Sequence, residues 1–176
     1  MAKVSIIGTG TWGIALGMVL AQNGHEVTAW SALPKEIEAL RESYTCKNLP
    51  GVEIPRSIVF TADLQEACTD KEMLVLSVPS VFTRGVAKQM NPFVKEGQLI
   101  VSVAKGIEEK TLMTMSQQIE EELPMANVAV LSGPSHAEEV SRGIPTTVVV
   151  GAKDRQTAEH IQNLFMSSVF RVYTSP

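Results

Sequence analysis

Three glycines near the amino terminus have the spacing of a phosphate-binding loop. Gly8, Gly10 and Gly13 form the pattern G-x-G-x-x-G directly after the apolar segment 4–7. In such a loop the first glycine permits a tight turn, the second lets the backbone approach a pyrophosphate, and the third lets a helix pack against the strand. The helix that follows offers free N–H groups and the positive end of its dipole to phosphates. We predict from this context that the loop binds a dinucleotide rather than serving only as a structural turn.

The end of the second predicted strand, 26–30, does not indicate which nicotinamide dinucleotide is bound. An acidic residue at this place binds the ribose 2′-hydroxyl of NAD, whereas an Arg accommodates the 2′-phosphate of NADP. The residues found at this place are Trp30, Ser31, Ala32 and Leu33. Because Ser31 can hydrogen-bond either form, the sequence predicts NAD or NADP as cofactor, with weak discrimination between them.

Two further candidate positions follow predicted strands. Pro79 ends the apolar strand 73–78, and Phe82 three residues later either covers a flat ring or belongs to the core. Lys105 follows the strand 99–103. Its ammonium either reaches an anionic or carbonyl substrate or is simply solvated. Because ligands of doubly wound sheets bind at the carboxyl ends of strands, we place these residues in the candidate site.

A third break follows the predicted strand 128–131. The segment 132–137, Ser-Gly-Pro-Ser-His-Ala, ends that strand and begins another helix. Free backbone N–H groups there and the hydroxyl of Ser135 are suited to a substrate hydroxyl or phosphate. His136 is either an acid–base group or, like most single histidines near a helix start, structural.

The elements that position these residues alternate between apolar strands and helices. The predicted strands are 4–7, 26–30, 58–60, 73–78, 99–103, 128–131, 146–150 and 169–173. The predicted helices after the one that follows the glycine loop include 34–42, 63–68, 82–90, 112–123 and 155–166. Continuous apolar strands between helices indicate an α/β fold with a doubly wound, mostly parallel sheet of the Rossmann type, in three layers.

Composition excludes several classes of protein. The chain has 176 residues, of which 44% are hydrophobic and 19% are charged, which is typical of a folded domain rather than a disordered chain. A formal net charge of −4 argues against nucleic-acid binding. The uncharged segment 4–25 contains five glycines, so we expect no membrane insertion there. Cys46 and Cys68 are too far apart for a C-x-x-C pair and predict reduced thiols in a cytoplasmic protein, and no residue spacing predicts a metal site.

Taken together, the motifs resemble those of bacterial NAD(P)-dependent glycerol-3-phosphate dehydrogenases over essentially the whole chain. The resemblance rests on the glycine loop with Trp12 and on the segments 48–51, 78–80, 104–106 and 132–137. The last two segments are much more specific than the glycine loop. The resemblance implies reduction of dihydroxyacetone phosphate to sn-glycerol 3-phosphate, a small phosphate substrate, for glycerophospholipid synthesis.

The resemblance also implies individual roles. It implies cofactor contacts from Thr11, Trp12, Lys105 and Ala137, packing of Phe82 against the cofactor, and substrate contacts from Lys105, Gly133 and Ser135. The complete predicted cofactor-binding set is Gly8, Gly10, Thr11, Trp12, Gly13, Pro79, Phe82, Lys105 and Ala137. Ala32 and Leu33 replace the Arg or other polar residue that the family often has after the second strand, which leaves the preference for a 2′-phosphate open.

The family has a second, all-helical domain that carries the general-base lysine and most ligands of the substrate phosphate. Residues 1–176 are therefore expected to form the NAD(P)-binding domain alone, with the helical domain absent, Lys105 in a supporting catalytic role, and no useful activity in isolation. The sequence does not distinguish a monomer from a homodimer. Two alternatives are the cofactor domain of another hydroxyacid or hydroxyacyl dehydrogenase, and a non-catalytic NAD(P)-sensing module. The segments 102–106 and 132–137 argue against the first, and the net charge argues against the second.

Overall fold

One eight-stranded sheet runs through the computed structural model, which describes residues 1–175. The strand order is β3-β2-β1-β4-β5-β6-β7-β8, and every neighbouring pair is parallel except β6 and β7. The strands are β1 (Lys3–Ile7), β2 (Glu26–Trp30), β3 (Val59–Thr61), β4 (Met73–Leu76), β5 (Leu99–Ser102), β6 (Asn127–Ser132), β7 (Thr146–Gly151) and β8 (Phe170–Ser175). The predicted doubly wound, mostly parallel sheet is confirmed.

Helices cover both faces of this sheet and complete three layers. They are α1 (Thr11–Gln22), α2 (Pro34–Ser43), α3 (Leu64–Cys68), α4 (Thr83–Met90), α5 (Met115–Glu122), α6 (Ala137–Ser141) and α7 (Arg155–Phe165). The apolar residues of α1, α2, α6 and α7 belong to one core cluster, and those of α3, α4 and α5 belong to the other. Among residues 1–175, no helix is both long and apolar enough to span a membrane.

Apolar residues of the central strands β1 and β4 fill both clusters. Ile6 and Val75 face one cluster, whereas their neighbours Ile7 and Leu76 face the other, and all four are at most 1% exposed. Successive side chains of a strand point to opposite faces, so a strand buried on both sides cannot alternate with polar residues. This is why continuous apolar runs correctly predicted the central strands.

The last two strands alternate instead. In β7 and β8 every second residue is exposed, and the directly paired Val149 and Tyr173 are 42% and 58% exposed. Helix α7 packs against these strands, and its apolar residues belong to the first core cluster. Their other face is therefore open to solvent.

The predicted helices 82–90 and 112–123 begin later than the sequence indicated. Residues Ser80–Phe82 form a 3₁₀ turn, and α4 begins only at Thr83. The predicted helix 112–123 begins at Met115, because the hydroxyl of Thr114 accepts from the N–H of Gln117 while the Gln117 side chain accepts from the N–H of Thr114. Leu112 has a left-handed φ of 61° and lies in a turn.

The sheet has its reversal of strand order at β1, which pairs with β2 on one side and β4 on the other. Ligands of open α/β sheets bind outside the carboxyl ends of the strands at such a point. The segments that leave this edge are 8–10 after β1, 77–79 after β4, 103–106 after β5 and 133–136 after β6. The fold thus brings the glycine loop, Pro79, Lys105 and the segment 133–136 to one edge.

Candidate functional site

The glycine loop makes a close approach between β1, α1 and β4. Gly8 has a φ of +118°, and a Cβ atom on it would lie 2.9 Å from the backbone nitrogen of Val78. A Cβ atom on Gly13 would lie 2.2 Å from the carbonyl oxygen of Gly8. Because real Cβ contacts are never this short, the first and third glycines are required by the backbone packing of the loop itself.

Gly10 differs, because nothing lies within 4 Å of where its Cβ would be. It is the N-cap of α1, no side chain caps the helix there, and the first turn contains no acidic residue. The N–H groups of a first helical turn have no acceptors within the helix. The open space beside Gly10 thus faces unpaired donors, which is the arrangement that a pyrophosphate requires.

Ser77, which the sequence analysis did not single out, joins the glycine loop to β4. Its N–H donates to the carbonyl oxygen of Ile7 at 2.9 Å, and its hydroxyl donates to that of Gly8 at 2.8 Å. The N–H of Gly8 donates to Trp30 on β2 at 2.9 Å. These bonds fix the loop between the ends of three strands. A hydroxyl residue at the end of the strand that precedes Pro79 was the only sequence signal for it.

A groove of about 570 Å³, here called the Phe82 groove, extends from the glycine loop toward α2 and α4. It is lined by residues 8–10, 30–33, 36, 77–79, 81, 82, 85, 86 and 89. Phe82 is 59% exposed and Leu33 is 63% exposed, so both present apolar surface to this groove. The alternative that Phe82 belongs to the core is wrong, because the 3₁₀ turn after Pro79 directs it outward.

The Phe82 groove also contains a carboxylate, which corrects the expectation of no acidic group near residues 30–33. Glu36 lies in the first turn of α2, and the hydroxyl of Ser31 donates to its Oε2 at 2.6 Å. The N–H of Leu33 in turn donates to the hydroxyl oxygen of Ser31 at 3.2 Å. No acidic residue follows β2 directly in the sequence. The carboxylate of Glu36, on α2, nevertheless lies beside Ser31 at the end of that strand.

A second groove of about 410 Å³, here called the Lys105 groove, lies on the other side of Gly10. It is lined by residues 10–12, 77–80, 103–105 and 135–137. Gly10 and the segment 77–79 line both grooves, so the two form one continuous channel across the amino terminus of α1. Two pockets that meet at a phosphate-binding loop have the layout that the two nucleosides of a dinucleotide need.

The predicted substrate residues lie together in and beside the Lys105 groove. The ammonium of Lys105 donates to the carbonyl oxygen of Gly133 at 2.9 Å, and the hydroxyl of Ser135 lies 3.4 Å from the same oxygen. Lys105 is the one Lys, Arg, Asp or Glu side chain among the described residues that line this groove. The groove therefore offers a single fixed positive charge beside a hydroxyl donor, which suits a small anion.

Most predicted site residues line the channel directly, and two do not. Gly8, Gly10, Thr11, Trp12, Pro79, Phe82, Lys105, Ser135 and Ala137 line one or both grooves. Gly13 and Gly133 do not line either groove. Gly13 allows close approach of the Gly8 backbone, and Gly133 allows close approach of the β7 backbone. His136 is exposed and lines the Lys105 groove as well. Among residues 1–175, no group of three or more His, Cys, Asp or Glu is placed to hold a metal ion.

An ion-pair cluster supports the segment that carries Lys105. The guanidinium of Arg84 on α4 donates to both carboxylate oxygens of Glu108 at 2.8 Å and also pairs with Glu121 and Glu122 on α5. Hydrogen bonding from Arg84 and, secondarily, from Thr111 lowers the pKa of Glu108 from 4.5 to about 2. The segment after Lys105 is thereby attached to both helices of this face.

Comparison with known proteins identifies the family. The family model described as "NAD-dependent glycerol-3-phosphate dehydrogenase N-terminus" matches residues 3–158. Glycerol-3-phosphate dehydrogenase [NAD(P)+] of Agathobacter rectalis is 60% identical over 177 residues, a match that covers 100% of this chain and 53% of that protein. The same enzyme of Fusobacterium nucleatum is 52% identical, again over 100% of this chain and 53% of the relative.

A solved structure agrees with this assignment. The crystal structure of glycerol-3-phosphate dehydrogenase from Coxiella burnetii superposes with a TM-score of 0.92 at 27% sequence identity, covering 99% of this chain and 54% of that one. The chain therefore spans about half the length of the relatives that it matches. The resemblance that the sequence motifs indicated is confirmed.

Proposed function

The chain belongs to the NAD-dependent glycerol-3-phosphate dehydrogenase family, and from this we propose that residues 1–176 are the NAD(P)-binding domain of an enzyme that reduces dihydroxyacetone phosphate to sn-glycerol 3-phosphate. The observation that carries the proposal is the continuous channel across the amino terminus of α1, with Lys105 at one end and Phe82 at the other. The product is the backbone of glycerophospholipids, so we propose a role in their synthesis, in the cytoplasm.

The residues of the channel fit a nicotinamide dinucleotide. The space beside Gly10 and the unpaired N–H groups of α1 suit the pyrophosphate. Phe82 and Leu33 offer exposed apolar surface for the adenine ring. Thr11, Trp12, Pro79 and Ala137 would enclose the other nucleoside.

The Lys105 groove supplies groups for the substrate. When bound, the reduced cofactor supplies the hydride. The ammonium of Lys105 would donate to the substrate's carbonyl oxygen and stabilise the negative charge that develops there. Ser135 would donate to a phosphate or hydroxyl oxygen, and Gly133 would hold Lys105 in place through its carbonyl. The alkoxide also needs a proton donor. We propose that the principal one, and most phosphate ligands, lie outside this chain.

Binding of the reduced cofactor tests the proposal on the chain as it stands. We expect saturable enhancement of NADH fluorescence, and we expect Gly10→Val to weaken binding by about tenfold or more because the new side chain fills the pyrophosphate space. Gly151→Val is the matched control, because Gly151 has equally empty surroundings and lies outside the channel. Absence of saturable binding in the unmodified chain would refute the proposal.

Turnover tests the proposed division of labour. We expect the 176-residue chain to oxidise NADH with dihydroxyacetone phosphate far more slowly than a longer form does. The longer form would also include the region that corresponds to the rest of the relatives' length. A positioned general acid alone contributes about 10²–10⁴-fold in rate. Comparable rates from the two forms would show that all catalytic groups lie within residues 1–176.

A further inference from the structure

The carboxylate of Glu36 is held in a fixed place on the wall of the Phe82 groove. Its Oε2 accepts from the Ser31 hydroxyl at 2.6 Å, and Ser31 itself is 7% exposed and accepts from the N–H of Leu33 at 3.2 Å. Among residues 1–175, no hydrogen bond or ion pair engages the other oxygen, Oε1. A long side chain is thus ordered at one oxygen while the second remains able to accept.

The carboxylate has no compensating positive charge beside it on this wall. Among the described residues that line the Phe82 groove, Glu36 is the only Lys, Arg, Asp or Glu. Lys35 precedes it but is exposed and does not line the groove. The guanidinium of Arg41 donates two hydrogen bonds, at 2.6 and 3.0 Å, to the carbonyl oxygen of Phe60 in β3, and it does not line the groove. Glu36 therefore carries the one formal side-chain charge among the described residues that line this groove.

We propose that Glu36 makes this groove select NADH over NADPH. The inference rests on the proposed function, since it concerns the nucleoside bound next to the end of β2. A ribose 2′-hydroxyl can donate a hydrogen bond to Oε1, whereas a 2′-phosphate has only acceptor oxygens and carries a like charge. Bringing that phosphate next to an ordered carboxylate without a cation is unfavourable. The role that many NAD-binding domains give to an acid at the end of β2 falls here to a residue of α2.

The test measures dissociation constants of NADH and NADPH by fluorescence titration of the 176-residue chain, unmodified and with Glu36→Gln. We expect NADPH to bind about tenfold or more weakly than NADH to the unmodified chain, and we expect Glu36→Gln to bring the two constants within about threefold of each other. Glu38→Gln is the control, because this residue lies on the same helix, is exposed and does not line the groove. It should leave the ratio unchanged.

A second measurement needs no variant. Displacement of bound NADH by 5′-AMP and by 2′,5′-ADP compares the same nucleotide with and without a 2′-phosphate, and we expect 5′-AMP to be the stronger competitor. Equal binding of NADH and NADPH to the unmodified chain, or a ratio that Glu36→Gln does not change, would overturn the inference while leaving the proposed function intact. Failure of both cofactors to bind would overturn the proposed function itself.

Discussion

The ammonium nitrogen of Lys105 lies 2.9 Å from the carbonyl oxygen of Gly133, and this hydrogen bond joins the loops that follow β5 and β6. The two strands are parallel neighbours, so both loops leave the sheet at the same edge. An ammonium has three donors, and Gly133 uses one of them. The bond therefore orients Lys105 along the groove wall and leaves donors for an anionic ligand.

Replacing Lys105 by Met tests this arrangement. In a longer form that also includes the region matching the rest of the relatives' length, we expect Lys105→Met to weaken binding of sn-glycerol 3-phosphate to the cofactor-saturated protein by at least about tenfold, since hydrogen bonds to charged groups contribute about 1.5–3 kcal/mol. Stability should change by no more than about 0.5 kcal/mol because the side chain is exposed. Calorimetric titration measures the binding. Lys110→Met, an exposed lysine outside the groove, should have no effect, and equal losses in both variants would contradict the assignment.

The partner of Lys105 has a structural requirement of its own. A Cβ atom on Gly133 would lie 2.7 Å from the carbonyl oxygen of Thr147 and 2.9 Å from the Cα of Val148, both backbone atoms of β7. We expect Gly133→Ala to lower the free energy of unfolding by about 1–3 kcal/mol, because backbone cannot move aside without disturbing the sheet. Urea denaturation measures the change. Gly151→Ala, where the methyl group would meet nothing, is the control, and equal stability of the two variants would refute the close-approach argument.

Much of the site could be predicted because it depends on local chain direction. The glycine pattern, the proline after β4 and the Gly-Pro break after β6 each mark the carboxyl end of a strand, and parallel strands bring those ends together. The start of α5 was also predictable in principle. Thr114 and Gln117 have the spacing of a capping box, which outweighs the apolar residues before it.

The positions of Phe82 and Glu36 depend on tertiary geometry that a sequence pattern does not contain. Phe82 lies four residues before the buried Val86, so helical periodicity would bury both, but Phe82 belongs to the 3₁₀ turn after Pro79 and is 59% exposed. Glu36 lies six residues after β2 ends, and only the path of the chain into α2 brings its carboxylate back to Ser31. A search limited to the strand end misses it.

The ion pair between Arg84 and Glu108 predicts a pH dependence of stability. The pKa of Glu108 is lowered from 4.5 to about 2, so its contribution to stability is present above about pH 4.5 and is lost as the pH falls toward 2. Glu108→Gln should therefore be less stable than the unmodified chain at pH 7, and the difference should shrink below pH 4.5. Urea midpoints at several pH values measure it. Glu109→Gln, an exposed neighbour, should show no such trend, and a difference that is constant with pH would contradict the interpretation.

The two cysteines should differ sharply in reactivity. Burial raises the pKa of the Cys68 thiol from 9.0 to about 12, and the side chain is 1% exposed, whereas Cys46 is partly exposed. The thiolate is the reactive form, and a thiol with this pKa is only about one part in 10⁴ thiolate at pH 8. We expect a disulfide reagent such as dithionitrobenzoate to modify one thiol of the folded chain rapidly at pH 8, and the second only as the chain unfolds. Cys46→Ser should abolish the rapid phase, and two rapid equivalents in the unmodified chain would show that α3 does not shield Cys68 in solution.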